Sequence, residues 1–561
     1  MSRAVSLWFT EGELDALRAD RERGSRARTW RNLMADARAW QARAPRLQGI
    51  PLRADDPDYE NLYDRFYAIM SDAAIVEHLG FVARVSGEPA IREAAARWLV
   101  GLCVAWGDEA RRTPDYGSVY ATSRLLRAAT MGFDLIDAWL SPGQRRTVMG
   151  FAMELAGTLW SGWYTTPASA GPEPSTHHAH MEWGSLGLAS LALLHRTDEA
   201  RAWLDAAVAR FDRDLLPRGL APDGAQVEGP SFWASTVTSR LAFLDALERH
   251  EGLDLFTPHA ASMLPDASIA AFAGSAPAPP IHHSREMLGE PAYAQLAYHA
   301  PALLGLARRH RRPMLRRLAL QDLRMGRLHE PDGLTPAGER LRFALGPLAY
   351  LWDDPTLDGA PDEPAPLAFR FPSSGATFIR SNWSSRPTVV AIDAGGRVTV
   401  HAAGHVVLAD LDPVHRLEPE RSVAAGTAVH TWDPPGMAID DVQVEDAGAT
   451  IRVLGTGAEV RLEVELDRSS GSVRIGRDGV EQCRVWTGFG AASRRDGWVF
   501  GDGTRLRVIA GRVSAFDRRG HRDDRHLGYG ALVARTSVDD SRPLASLEAD
   551  DHGSLRVNLM P

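Results

Sequence analysis

The feature that most constrains this chain is a change of hydrophobic period near residue 353. Before it, apolar positions recur at helical spacing. Ile91, Ala94, Trp98, Leu99, Leu102 and Ala105 follow the i, i+3/i+4, i+7 rule, which lays one apolar stripe along one side of a helix. After it the period is two: Val460, Leu462, Val464 and Leu466 alternate with Glu459, Arg461, Glu463 and Glu465, as in a strand with one dry and one wet face. Between the two regimes runs DDPTLDGAPDEPAP, Asp353 to Pro366, whose prolines and acids disfavour both structures and mark a linker. The expected organisation is a helical domain over 1–352, a linker over 353–366 and an antiparallel β-sandwich over 367–561.

With 561 residues and 44% hydrophobic content, the chain exceeds what a single compact core usually needs. Ser141-Pro142 and Thr197-Asp198-Glu199 read as helix starts, a capping hydroxyl followed by first-turn residues. Such segments number about a dozen, joined by short loops, and a ring or arc of helical hairpins packs them economically. No fixed-period repeat occurs, which disfavours a tetratricopeptide or armadillo array. In the second half, Thr377–Ile379, Thr388–Ile392, Val473–Ile475 and Leu506–Ile509 read as further strands between glycine-rich turns.

Composition excludes several chemistries. Basic and acidic residues number 63 and 72, scattered through the chain with a net charge of −9, so there is no electrostatic footprint for nucleic acid. The two cysteines, Cys103 and Cys483, are too few for a disulfide framework or a cysteine zinc site. No apolar run reaches the length of a membrane span, and Met1 to Arg21 lacks a signal-peptide core, so the expected location is cytoplasmic. Every basic residue is arginine. Without lysine there is no Schiff base and no Walker lysine, and any anionic substrate must be held by guanidinium groups.

Four stretches carry candidate chemistry. The first is Ser175 to Gly184, STHHAHMEWG, where His178, His180 and Glu182 crowd a helix start; imidazoles there can move protons beside backbone donors that favour anions. A solvated histidine-rich cap is the plainer alternative. His178 and Glu182, four apart, also suit a metal, although no HExxH pattern exists. The second is PDGAQVEGPSFW, Pro222 to Trp233. Glu228 is either a buried carboxylate that orients a histidine or part of a turn, and Trp233 either stacks on a sugar or packs in the core. The third, Pro280 to Tyr293, offers Arg285 as a clamp for an acidic group and Tyr293 beside it, if it is more than a surface loop. The fourth is Thr399 to His405, with His401 and His405 near strand ends and Asp410 and Asp412 following; it leaves room for a divalent ion in the β domain, with spacing that the sequence does not fix.

In the order of these motifs the chain resembles the heparinase II/III-like polysaccharide lyases, including alginate and oligoalginate lyases. The likeness runs through SLWFTEGELDALR, the histidine-bearing helix start with GSLGLASLALL, PDGAQVEGPSFW and FPSSGATFIRSNW, the last two being the most specific. It implies an incomplete (α/α) toroid of helical hairpins followed by an antiparallel β-sandwich. It also implies β-elimination on a uronate-containing saccharide, for which no cofactor is required. The uronate carboxylate is neutralised, a base takes the C5 proton and an acid protonates the departing oxygen. By resemblance, His178 or His180 is the first-motif histidine and His401 or His405 that of the β domain, so imidazoles from both halves are expected to meet in an arginine-lined groove. Phe232 stands where the family has tyrosine, and Tyr164, Tyr293 or a histidine would have to replace it. A cytoplasmic location would suit a small acidic oligosaccharide or uronate-bearing metabolite. Two other readings are a glycoside hydrolase using Glu182 and Glu228 and a silent glycan-binding relative.

Overall fold

The computed structural model describes residues 6–43, 59–114, 116–167, 174, 176–225, 230–263, 299–325, 330–331, 339–340, 345–358, 365–372, 376–384, 387–392, 396, 398–402, 405–413, 441–457, 461–480, 482–486, 492–517 and 544–561. At some ends of helices and strands, Phe232 and His405 included, only the backbone is described. These residues form two compact units, one holding the helices and the other the strands from Ala368 on. The order expected from the change of period, helical first and antiparallel β second, is the one observed.

Twelve helices of eight residues or more occur among the described residues: α1 Glu11–Ala19, α2 Gly24–Gln41, α3 Tyr59–Ser86, α4 Pro89–Ala105, α5 Tyr116–Ile136, α6 Pro142–Leu159, α7 His177–Leu193, α8 Glu199–Arg210, α9 Pro230–Glu251, α10 Ala300–His310, α11 Pro313–Met325 and α12 Leu345–Trp352. Local chemistry sets their starts. Thr10 and Ser141 each close a reciprocal capping box, with Glu13 and Gln144 respectively, and Pro142 occupies the first turn of α6 where a missing N–H is harmless. The stripe read on α4 is buried along its whole length.

Helix α7 is the unusual one, because nearly every side chain from His177 to Leu193 is buried. An amphipathic surface helix would bury one face only. Two of its glycines allow a close neighbour. A Cβ at Gly187 would overlap the Phe243 ring of α9, and one at Gly184 would sit 3.4 Å from the Ser239 carbonyl oxygen. Two π-helical turns also flank this region, Trp160–Tyr164 after α6 and Phe211–Leu215 after α8.

The last helix ties back to the first ones. Tyr350 Oη donates to the Leu17 carbonyl at 2.6 Å, and Trp352 Nε1 donates to Asp245 at 2.9 Å. Asp353, the first residue of the stretch read as a linker, is buried and accepts from Arg316 Nε at 2.6 Å and from the Ser25 hydroxyl. Asp354 then caps the short turn Pro355–Leu357. By these contacts residues 353–358 belong to the helical unit.

The second unit contains sixteen strands among the described residues: β1 Ala368–Phe371, β2 Ala376–Arg380, β3 Val389–Ile392, β4 Val398–Ala402, β5 His405–Pro413, β6 Asp441–Asp446, β7 Thr450–Thr456, β8 Arg461–Asp467, β9 Val473–Asp478, β10 Gln482–Trp486, β11 Ala492–Arg494, β12 Gly497–Val499, β13 Arg505–Ala510, β14 Arg512–Asp517, β15 Leu544–Glu548 and β16 Ser554–Met560. They form two eight-stranded antiparallel sheets, ordered β11-β12-β13-β16-β9-β8-β7-β6 and β14-β15-β10-β5-β4-β3-β2-β1. Ile379, Val390, Val400 and Leu408 of one sheet share a single core with Ile451, Val464, Ile475 and Val557 of the other, which makes the unit a sandwich. On β8 the alternation is realised as expected. Leu462, Val464 and Leu466 point inward, while Glu463 pairs with Arg452 and Glu465 with Arg474 at 3.5 Å.

Among the described residues no helix is long and apolar enough to cross a membrane. The close approach of α7 and α9 is testable. Gly187→Ala is expected to lose about 1–3 kcal/mol through overpacking against Phe243. Gly150→Ala on α6, with nothing within 4 Å of an added Cβ, is expected to gain about 0.5–1 kcal/mol. Denaturant midpoints of the two variants, measured side by side, should move in opposite directions.

Candidate active site

Helix α7 opens directly on the histidine-rich stretch, so its first two turns carry His177, His178, His180 and Glu182. Residues four apart share a helical face. His178 Nδ1 accordingly lies 3.6 Å from Glu182 Oε1, an ion-pair separation rather than a hydrogen bond. The two side chains differ sharply in access. That of His178 is 23% exposed and that of Glu182 only 1%. Burial pushes the Glu182 carboxyl above the usual carboxylate range, while the His178 ring and the Trp163 indole N–H act in the opposite direction. Burial thus disfavours charge on Glu182, while the imidazole beside it favours that charge.

Other helices hold this pair from its sides. The ring of Tyr120, on α5, lies 4.2 Å from that of His178 with the planes tilted by 30°, and its hydroxyl donates to Met181 Sδ at 2.8 Å. His177 packs edge-on against His178 at 4.5 Å. The π turn Trp160–Tyr164 supplies Trp163 and Tyr164, both buried. Tyr164 Oη donates to the Glu182 carbonyl at 2.8 Å, and burial together with the neighbouring Glu182 holds the phenol well above its ordinary pKa. Tyr164, one of the groups weighed as a replacement for the phenol missing at position 232, is thus engaged in holding the α7 backbone.

His180 has a different environment from His178. It is fully buried. Its Nε2 lies 2.7 Å from the Pro174 carbonyl, and its Nδ1 accepts from Arg240 Nε at 3.3 Å. Burial, and then the Arg240 charge, hold its pKa well below the usual histidine value, so it is a neutral ring with both nitrogens engaged.

Of the residues singled out from the sequence, His178, His180 and Glu182 are therefore brought together, with distinct surroundings. Trp233 is fully buried on α9, its ring stacked 6.4 Å from that of His299, so it packs in the core and offers no open face to a sugar. His401 is buried on β4 of the sandwich unit, opposite Val389 on β3. His405 begins β5, its backbone paired with Ala402, and its side chain lies outside the described residues, as does that of Phe232. Glu228, Arg285 and Tyr293 also lie outside them. Among the described residues no group of three or more histidine, cysteine or acidic side chains is arranged to hold a metal ion.

Sequence reasoning missed Tyr120, Trp163 and Arg240. Tyr120 gives no signal, because only tertiary packing brings it to His178. Trp163 lies in the aromatic cluster WSGWY, and Arg240 is a lone charge in the otherwise uncharged run STVTSRLAFL; both features are visible in the sequence.

The whole chain aligns with solved polysaccharide lyases. Heparinase III matches with a TM-score of 0.51 and 10% identity, over 100% of this chain and 93% of that one. The chondroitin AC lyase of Streptomyces coelicolor A3, solved in complex with chondroitin sulphate, matches with a TM-score of 0.51 and 15% identity, over 98% and 83%. The heparan sulfate lyase HepC of Pedobacter heparinus aligns over 94% and 87% at 12% identity, with a TM-score of 0.45. No protein-family model matches the sequence, and no curated protein does. At these identities the likeness is one of fold: the chain has a polysaccharide lyase fold, and the heparinase-like resemblance of its motifs holds at that level.

The buried carboxyl carries a stability signature. A folded pKa above the unfolded one gives stability that is complete below the unfolded pKa and is lost as pH rises through the folded pKa. Glu182→Gln keeps the shape and stays uncharged. Its denaturant midpoint is expected to equal that of the wild type in acid and to exceed it at neutral pH, and parallel curves across the whole range would contradict the desolvated carboxyl.

Proposed function

We propose that this chain is a carbon-oxygen lyase that cleaves an acidic, uronate-containing saccharide by β-elimination, with His178 as the base and Glu182 as the group that holds its charge. The observation that carries the reading is the His178–Glu182 pair set on a polysaccharide lyase fold. Elimination needs no water as nucleophile. The C5–H and C4–O bonds break, a C4=C5 double bond forms, the proton passes to the imidazole, and the departing oxygen takes a proton from an acid or from solvent.

The geometry suits the first of these steps. His178 is the accessible member of the pair, so a sugar can approach it, whereas Glu182 is sealed beneath it. The charge that develops on the imidazole as it takes the C5 proton lies 3.6 Å from the Glu182 carboxyl, in a site of low dielectric where an anionic neighbour favours it. The uronate carboxylate must itself be neutralised before its neighbouring proton becomes acidic. In a chain without lysine that task falls to guanidinium groups, and Arg285 is proposed for it on its chemistry alone.

Glu182 has the raised pKa of a hydrolase acid, which gives a glycoside hydrolase reading some support. Its near-complete burial argues against direct contact with a leaving group.

Incubation with a panel of uronate glycans is expected to produce the ultraviolet absorbance of an unsaturated uronate, with no oxygen from solvent in the new ends. Products that carry labelled water oxygen and lack that absorbance would sink the reading. His178→Ala is expected to cost about 10²–10⁴-fold in kcat, the usual contribution of a positioned acid or base.

A further inference from the structure

Helix α9 carries Arg240 between Ser239 and Leu241, all three buried, and the guanidinium is fully enclosed. No carboxylate pairs with it among the described residues. Burial alone pushes its pKa down to about 9. An uncompensated buried cation is costly, so its contacts indicate why the fold tolerates it.

Those contacts converge on one point. Nε donates to His180 Nδ1 at 3.3 Å, Nη2 lies 3.3 Å from His180 Nε2, and Nη2 donates at 2.7 Å to the carbonyl oxygen of Leu215, the last residue of the π turn Phe211–Leu215. Nη1 meets no acceptor among the described residues. Arg240 donors thus face both ring nitrogens, but the nearer neighbour of Nε2 is the Pro174 carbonyl at 2.7 Å, an acceptor that calls for the proton on Nε2 and leaves Nδ1 to accept from Arg240 Nε. Pro174 precedes the first turn of α7, the turn that presents His178. Position 219 closes the arrangement, since a Cβ on Gly219 would overlap Arg240 Nη2, His180 Nε2 and the Leu215 carbonyl together.

We infer that Arg240 is a positioning residue: it locks His180 as the Nε2–H tautomer and, through the Pro174 carbonyl, fixes the start of α7 and with it the His178–Glu182 pair. The effect on turnover rests on the elimination reading, but the effect on the His180 ring does not. The charged and titratable groups facing His180 are Arg240, His177 and Arg210, and all of them oppose its protonation.

The test uses the full chain labelled with ¹⁵N-histidine. In the wild type, His180 is expected to stay a neutral Nε2–H ring from neutral into mildly acidic pH. In Arg240→Met, where burial still keeps the ring neutral, it is expected to populate both tautomers, while the protein stays folded by circular dichroism. Arg240→Lys keeps the charge but not the paired donors, so it should restore the ring state only in part. If Arg240→Met fails to fold, Gly219→Ala, which displaces the same groups without removing them, should give the same change in the ring spectrum. A His180 ring that titrates in the wild type, or that is unchanged in the folded variants, overturns the inference. Where uronate glycans are turned over, Arg240→Met should lower kcat by about 10²-fold with little change in KM, the scale of a misplaced reacting group. Absence of turnover in the wild type would defeat the lyase reading and leave the ring result to decide the role of Arg240.

Discussion

The structure of the helical unit depends on how closely α7 and α9 can approach. Gly184 and Gly187 present bare backbone to α9, and Phe243 occupies the space that a side chain at position 187 would need. That approach brings Arg240 to His180, and Gly219 leaves room for both. A helix buried on every side would normally be wholly apolar. Here α7 instead carries a buried glutamate and two buried histidines, His177 and His180, in its first two turns, each matched by a group on another helix or turn.

The polar groups enclosed in this unit are of two kinds. Arg127 and Glu77 form a close buried pair at 3.0 Å, in which each charge offsets part of the other's desolvation. Glu182 and Arg240 are different: one is a carboxyl whose burial resists ionisation, and the other a cation with no acid beside it among the described residues. Both lie beside the histidines of α7. Asp134, which accepts from the Leu7 amide, is a further carboxyl of this unit that burial pushes up, to about 7, so what sets Glu182 and Arg240 apart is that both meet histidines of one helix.

Much of the architecture could be read from the sequence because it depends on short-range period. The stripe on α4, the alternation on β8 and the capping hydroxyl of Ser141 before Pro142 each arise from residues within one or two turns, and each is found where it was expected. The histidine-rich helix start was likewise legible as a local excess. The sorting of its members was not, since His178, His180 and Glu182 look alike in sequence. They are distinguished by Tyr120, Trp163 and Arg240, which approach from three other parts of the chain. Trp233 shows the same limit, because an aromatic residue suited to stacking on sugar is equally suited to a core, and only tertiary packing decides. Asp353 reads as part of a polar connector in sequence, because its partners Ser25 and Arg316 are far from it along the chain.

The two π turns have a consequence for how such a site can be gained or lost. Each holds one residue more than the α-helical turn it replaces. Removing a single residue from Trp160–Tyr164 would let the helix run on in ordinary register and rotate the downstream residues by about 100°. The apolar content would hardly change, yet the indole now aimed at the buried carboxyl would face elsewhere. A one-codon gap, invisible to any comparison that scores only substitutions, therefore separates a version of this fold that supports its acid from one that abandons it.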